Sequence, residues 1–185
     1  EFLSMREAPV TERGETPLVH RGFLDYTQAA LFTDALPAYG GRTAGEAIAD
    51  ELRAYPDAQI YLTGHSLGGA AAVLAAARLS DLGVSPEQLI VTTFGAPAVG
   101  NAAFARRYEG KFTLRRVVMS GDPMKDILAK PLGFQQFGER VTWSPARSVA
   151  KFPHAMTVYV DAAIRRLCDA YGGERAYLFL MGTPD

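Results

Sequence analysis

Serine is a weak nucleophile until an oriented imidazole takes its proton, and this chain places one serine where that chemistry is built. Gly64-His65-Ser66-Leu67-Gly68 fits the pattern G-x-S-x-G. The string alone is only suggestive, because an ordinary glycine-rich turn with a buried serine reads the same way. Its setting is more specific. Residues 59–63 (Gln-Ile-Tyr-Leu-Thr) are short, apolar and rich in strand formers, and residues 67–82 are mostly Ala and Leu. A strand running straight into the serine and a helix leaving straight from it form the sharp turn that lifts the hydroxyl clear of a sheet. Flanking glycines let strand and helix pass closely. The amino end of the helix aims its unpaired amides at the reacting centre, so the Leu67 N–H is the expected oxyanion donor.

Three histidines could serve the serine: His20, His65 and His154. His65 is next to Ser66, where neighbouring side chains diverge, and is expected to be structural. His20 precedes the serine. His154 follows it, ahead of a helix, and the order serine, acid, histidine of strand–turn–helix hydrolases selects it as the base. The acid should then lie between the two, which leaves Asp81, Glu87, Glu109, Asp122, Asp126 and Glu139. Asp122 alone follows a clear strand immediately, in Ser120-Gly121-Asp122-Pro123. It would project from the carboxyl edge of a sheet and fix the imidazole tautomer. The competing reading is an Asp-Pro turn residue, and Asp126 is the reserve acid.

The elements that must position these groups alternate. Helical spacing of Phe23, Tyr26, Ala30 and Leu31 predicts a helix over 22–36. Thr43-Ala44-Gly45-Glu46 is a capping-box pattern opening a helix that ends before Pro56. Further strands are expected over 89–94 and 114–119, with Asn101 capping a short helix to about residue 108. Residues 137–143 read as a strand or half a hairpin. Residues 156–171 read as a helix with Val160, Ile164 and Leu167 on one side. Strand–helix alternation at this spacing means parallel pairing with helices on the faces, hence an α/β sheet with reactive groups at the carboxyl ends of its strands. The first 18 residues look like loop or lid. Met124, Ile127, Leu128, Leu132 and Phe134 could line an acyl groove or simply be core, and residues 176–181 could be an added strand, an interface element or a lipid-facing flap.

Composition narrows the function classes. The 185 residues form one domain, 48% hydrophobic, with 19 Lys+Arg against 20 Asp+Glu and a net charge of -1. No basic surplus exists for a nucleic-acid backbone. The single cysteine, Cys168, can form neither an internal disulfide nor a thiolate metal cage. No apolar run approaches the roughly 20 residues of a membrane span.

Five segments, in order, resemble the class 3 (fungal-type) lipases of the α/β-hydrolases: Val19-His20-Arg21-Gly22-Phe23; Thr63 through Gly69; Thr93 through Asn101; Gly121-Asp122-Pro123; and His154 with Tyr159. The resemblance implies a mostly parallel sheet with helices on both faces. It also implies a triad of Ser66, Asp122 and His154 acting on acylglycerol or related lipid esters at a lipid–water interface, without metal or cofactor, and it favours secretion. In that family an Arg-Gly-Ser/Thr turn supplies a further oxyanion donor, and no such turn precedes Val19. The chain is therefore expected to be a piece of a longer protein, completed by an N-terminal companion segment or chain that holds further strands.

Overall fold

The computed structural model describes residues 5–7, 16–125, 127, 133–146 and 152–180. Strand β1 (Met5–Glu7) pairs antiparallel with β2 (Leu18–His20), so the stretch expected to be loop or lid contains a strand. The reason lies in β2, where Val19 is buried in the main core and bridges to Gly100, giving β1 a fixed ladder to join. Helix α1 (Arg21–Leu31) stops short of the expected residue 36. Pro37 pushes the residue before it out of the helical region, and Leu36 is extended at φ -109° and ψ 135°. Residues Ala35–Leu36 form β3, paired antiparallel with β4 (Arg42–Thr43).

Helix α2 (Ala44–Ala54) opens on the expected capping box: the Thr43 hydroxyl accepts the Glu46 amide at 3.2 Å and the Glu46 carboxylate accepts the Thr43 amide at 2.9 Å. Its carboxyl end is closed from outside. Gln88, buried immediately before the strand that starts at Leu89, donates its side-chain amide to the carbonyls of Leu52, Tyr55 and Ala58. The Leu52 carbonyl belongs to the last turn of the helix, whose acceptors lack intrahelical partners, and the Tyr55 carbonyl also accepts the Ala58 amide at 2.9 Å.

The remaining elements build the sheet that carries the site: β5 (Ile60–His65), α3 (Leu67–Asp81), β6 (Leu89–Phe94), α4 (Ala102–Tyr108), β7 (Thr113–Met119), β8 (Glu139–Trp143), α5 (Met156–Tyr171) and α6 (Gly173–Leu180). Strands β5, β6, β7 and β8 lie in that order, all parallel. Residues 139–143 thus form a strand parallel to β7. Alternation along each strand divides the core in two. Leu89, Val91 and Leu114 face α3, whose Ala-rich surface lets it sit close, together with α2 and α4. Phe94, Val117, Met119, Val141 and Trp143 face α5 on the other side. Helices therefore cover both faces, as an α/β sheet with buried parallel strands requires.

Two readings near the end of the chain are narrowed by the structure. On α5 the buried residues are Val158, Tyr159 and Ala162, whereas Val160 and Ile164 are exposed. The face turned to the sheet is the one whose Val158, Tyr159 and Ala162 pack on Val117 and Met119. The 176–181 segment is helical through α6, which packs on α5 and buries Ala176; Met181 lies outside the described residues. Among the described residues no helix is long and apolar enough to cross a membrane.

Candidate active site

Ser66 is the one residue other than glycine with positive φ among the described residues, at φ 53° and ψ -120°. It occupies the N-cap of α3, where a serine ordinarily spends its hydroxyl on an amide of the first turn. Here it makes no such bond. The strained backbone turns the hydroxyl outward, and its partner is His154 Nε2 at 2.9 Å. The close passage of strand and helix falls on Gly64 and Gly69. A Cβ on Gly64 would strike the Gly68 carbonyl group, and one on Gly69 would come within 2.7 Å of Ala96 Cβ. Gly68, the last glycine of the pattern, would meet nothing within 4 Å, so the steric demand attributed to it belongs to its neighbour. The amides of Gly69 and Ala70 return to the Ser66 carbonyl. Those of Leu67 and Gly68 open the helix, where no intrahelical acceptor exists.

The His154 imidazole is held from its far side. His154 Nδ1 donates to Asp122 at 2.9 Å to Oδ2 and 3.1 Å to Oδ1. Asp122 is only 1% exposed, and a buried carboxylate must be met by donors. Oδ1 also accepts the Met124 amide at 2.9 Å, and Oδ2 accepts the Tyr159 hydroxyl at 2.6 Å. That hydroxyl in turn accepts the Met119 amide at 2.9 Å, locking α5 to the end of β7. Burial, reinforced by the hydrogen bond to Asp122, pushes the Tyr159 phenol well above its ordinary range, so it stays a neutral donor.

Three contributors exceed the sequence-level reading. Tyr159, quoted there only as part of a resemblance, is five residues beyond His154 on the buried face of α5 and touches the acid directly. Gly95 has φ +59°, and a Cβ there would lie 2.8 Å from Asp122 Oδ2, 2.8 Å from the Tyr159 hydroxyl and 3.2 Å from His154 Nδ1. A glycine following a strand that ends beside the elbow was the available signal. His65 does not point away: its ring lies 4.8 Å from that of His154, and Nε2 donates to the His154 carbonyl at 2.8 Å. His20, by contrast, is buried against Phe23 in the first helix, its amide bonded to the Val99 carbonyl. Among the other acids, Asp81 is engaged by the Tyr108 hydroxyl and Arg107, and Glu87, Glu109 and Glu139 are exposed. Asp126 lies outside the described residues, as do Leu128 and Leu132. Of the apolar stretch after the acid, Ile127 is exposed and Phe134 is buried, bridging to Asn101.

Exposed apolar side chains gather along the chain around this centre: Leu67 next to Ser66, Phe152 and Met156 two residues either side of His154, and Ile127 five beyond Asp122.

The lipase of Rhizomucor miehei is 35% identical over 127 residues, covering 65% of this chain and 31% of that protein. The solved structure of the Rhizomucor miehei triacylglyceride lipase superposes with a TM-score of 0.61 at 30% identity, covering 77% of this chain and 49% of that one. Phospholipase A1-II 4 of Oryza sativa is 31% identical over 149 residues, covering 74% of this chain and 36% of its own length. The chain thus spans about a third of these curated relatives, or half of the solved enzyme, and shares the α/β-hydrolase fold of the latter. The family model for lipase (class 3) matches residues 1–130, from the first strand through the elbow and the acid, and the chain belongs to that family.

Proposed function

We propose that this protein is a serine hydrolase that cleaves carboxylic esters of lipids, triacylglycerol or phospholipid acyl esters, through an acyl-enzyme on Ser66. The observation that carries the reading is the unbroken relay from Ser66 Oγ through His154 to Asp122, with contacts of 2.9 Å on both sides of the imidazole. As Oγ attacks the ester carbonyl, its proton passes to His154 Nε2 and the carbonyl oxygen gains a charge that the Leu67 N–H holds. Asp122 keeps the Nδ1 proton in place and steadies the imidazolium. The C–O bond to the alcohol breaks as Nε2 returns the proton to the leaving oxygen. Water then repeats the sequence on the acyl-enzyme and releases the fatty acid.

Two observations support a lipid substrate: the exposed apolar side chains flanking each member of the relay, and relatives described as a triacylglyceride lipase and a phospholipase A1. Strand β5 pairs only with β6 among the described residues and leaves Tyr61 71% exposed, which supports a companion segment or chain that continues the sheet along that edge.

A fluorophosphonate probe tests the nucleophile. Labelling is expected in the wild type and lost in Ser66→Ala, and labelling that persists in that variant overturns the assignment. Emulsified triacylglycerol and phospholipid vesicles distinguish the two ester classes. Product analysis with added alcohol would expose acyl transfer, and a chain that neither labels nor turns over would be a silent binding module.

A further inference from the structure

The base stands on a short turn whose backbone has little of its own to hold it. Residues 152–155 are closed by one internal bond, the Ala155 amide to the Phe152 carbonyl at 2.9 Å, and Phe152 is fully outside the core. Helix α5 begins only after it, with no side-chain cap at its start. Among the described residues, one hydrogen bond ties the backbone of this turn to the sheet: His65 Nε2 to the His154 carbonyl, 2.8 Å. His65 is the last residue of β5 and is bonded covalently to Ser66. The same ring lies 4.8 Å from His154 and meets Tyr159 edge-on at 5.4 Å.

We propose that His65 is a positioning residue that fixes the main chain carrying the base to the main chain carrying the nucleophile. The inference rests on the reading of Ser66 and His154 given above. The bond between Ser66 Oγ and His154 Nε2 is broken and remade in every half-reaction, so it cannot by itself hold the two segments in register. The His65 bond involves neither reacting atom and persists throughout. A donor in that place sets the distance between the two backbones before substrate arrives, which is the preorganisation that reactive geometry demands, since misplacement by about 1 Å costs on the order of a hundredfold. A carbonyl acceptor also fixes Nε2 of His65 as the protonated nitrogen, so the ring cannot compete for the Ser66 proton from that side.

Two variants in the full-length protein decide the matter. His65→Leu keeps the bulk and removes the donor, whereas His65→Gln keeps a side-chain N–H at similar reach. The expected result for His65→Leu is a fall in kcat on a soluble p-nitrophenyl ester of roughly tenfold, the worth of one hydrogen bond. KM should be unchanged, and the rate of fluorophosphonate labelling should fall in the same ratio. His65→Gln should recover most of the loss. If His65→Leu does not fold, His65→Gln against His65→Asn makes the same comparison, because the shorter amide falls short of the carbonyl. A donor-less variant with wild-type kcat, a loss carried by KM, or equal losses in the donor and donor-less variants overturns the proposal. Ser66→Ala separates this outcome from failure of the larger reading. Labelling that survives Ser66→Ala overturns the acyl-enzyme and the role of His65 with it. Labelling abolished there but unchanged in His65→Leu overturns the tether alone.

Discussion

Replacing Gly95 by alanine should damage catalysis from a position outside the Ser66–His154–Asp122 relay. The new methyl would stand 2.8 Å from both Asp122 Oδ2 and the Tyr159 hydroxyl and 3.2 Å from His154 Nδ1. Comfortable contact to carbon begins near 3.5 Å, so roughly 0.7 Å of overlap must be absorbed. Asp122 is pinned by the Met124 amide and Tyr159 by the Met119 amide, so the freest of the three groups is His154 on its turn. An imidazole displaced by about half an ångström implies a loss in kcat of roughly ten- to hundredfold. Stability falls too: left-handed φ costs an alanine about 1–2 kcal/mol, and overpacking adds about 1–3 kcal/mol. Gly110→Ala is the matched control, since Gly110 has φ +75° with nothing within 4 Å of its Cβ position. It should lose stability through strain alone and keep wild-type turnover. Turnover of a soluble ester and thermal melting, measured on both variants, separate the two terms. Should Gly95→Ala retain kcat within threefold of wild type, the steric reasoning fails.

The strain at Ser66 predicts that Ser66→Gly melts above Ser66→Ala: both lose the bond to His154, but only glycine accepts φ 53° freely, a difference of about 1–2 kcal/mol. Equal melting temperatures for these inactive proteins would refute stored strain. Gln88→Leu should cost about 1–3 kcal/mol in urea unfolding, because it removes the donor from the buried Leu52 carbonyl at the end of α2, while turnover stays unchanged. Alkaline pH should destabilise the fold through two tyrosines. Burial holds Tyr108 up to about 12 and raises Tyr159 further. The folded state therefore keeps protons that the unfolded chain releases above about pH 10. Their contribution is complete below that pH and is lost as pH rises, by at most about 1.4 kcal/mol per unit for each group. Unfolding curves at pH 8 to 11 should show this fall, and Tyr108→Phe should flatten it.

What was legible in the chain was what local physics dictates. The capping box at Thr43 needs only a hydroxyl and a carboxylate three residues apart. Strand β6 and helix α3 follow from runs too apolar to be anything but buried. Asn101 caps α4 as its side chain requires, accepting the Phe104 amide at 2.9 Å. It does more that no local rule contains: it also accepts the Leu18 amide and donates to the Thr16 carbonyl, fastening the start of the chain to the loop after β6. The site shows the same division. Order along the chain singled out His154 and Asp122, and the structure brings them together with Ser66. The contacts of His65, Gly95 and Tyr159 depend on separations of 89, 27 and 37 residues from the groups they touch. Periodicity on α5 put Val160 and Ile164 on one side, but a second apolar side, Val158, Tyr159 and Ala162, is the one that meets Val117 and Met119.

The sheet register explains why these distant residues converge. His65 pairs with Phe94, and Phe94 with Val117. One step further the amide of Ser66 reaches the Phe94 carbonyl at 2.9 Å, and the amide of Gly95 reaches the Val117 carbonyl at 2.9 Å. Ser66 and Gly95, the glycine that makes room for Asp122, are thus the first residues to leave the ladder, each still tied to it by its last hydrogen bond. Strand β7 runs on to Met119 and turns at Gly121, where φ is +85°, which carries Asp122 back over Gly95. Parallel pairing makes every such departure occur at one edge, so each strand needs only a local turn to place its group. His154 arrives on a segment that, among the described residues, has no strand in this sheet, and its main-chain carbonyl is held by the side chain of His65.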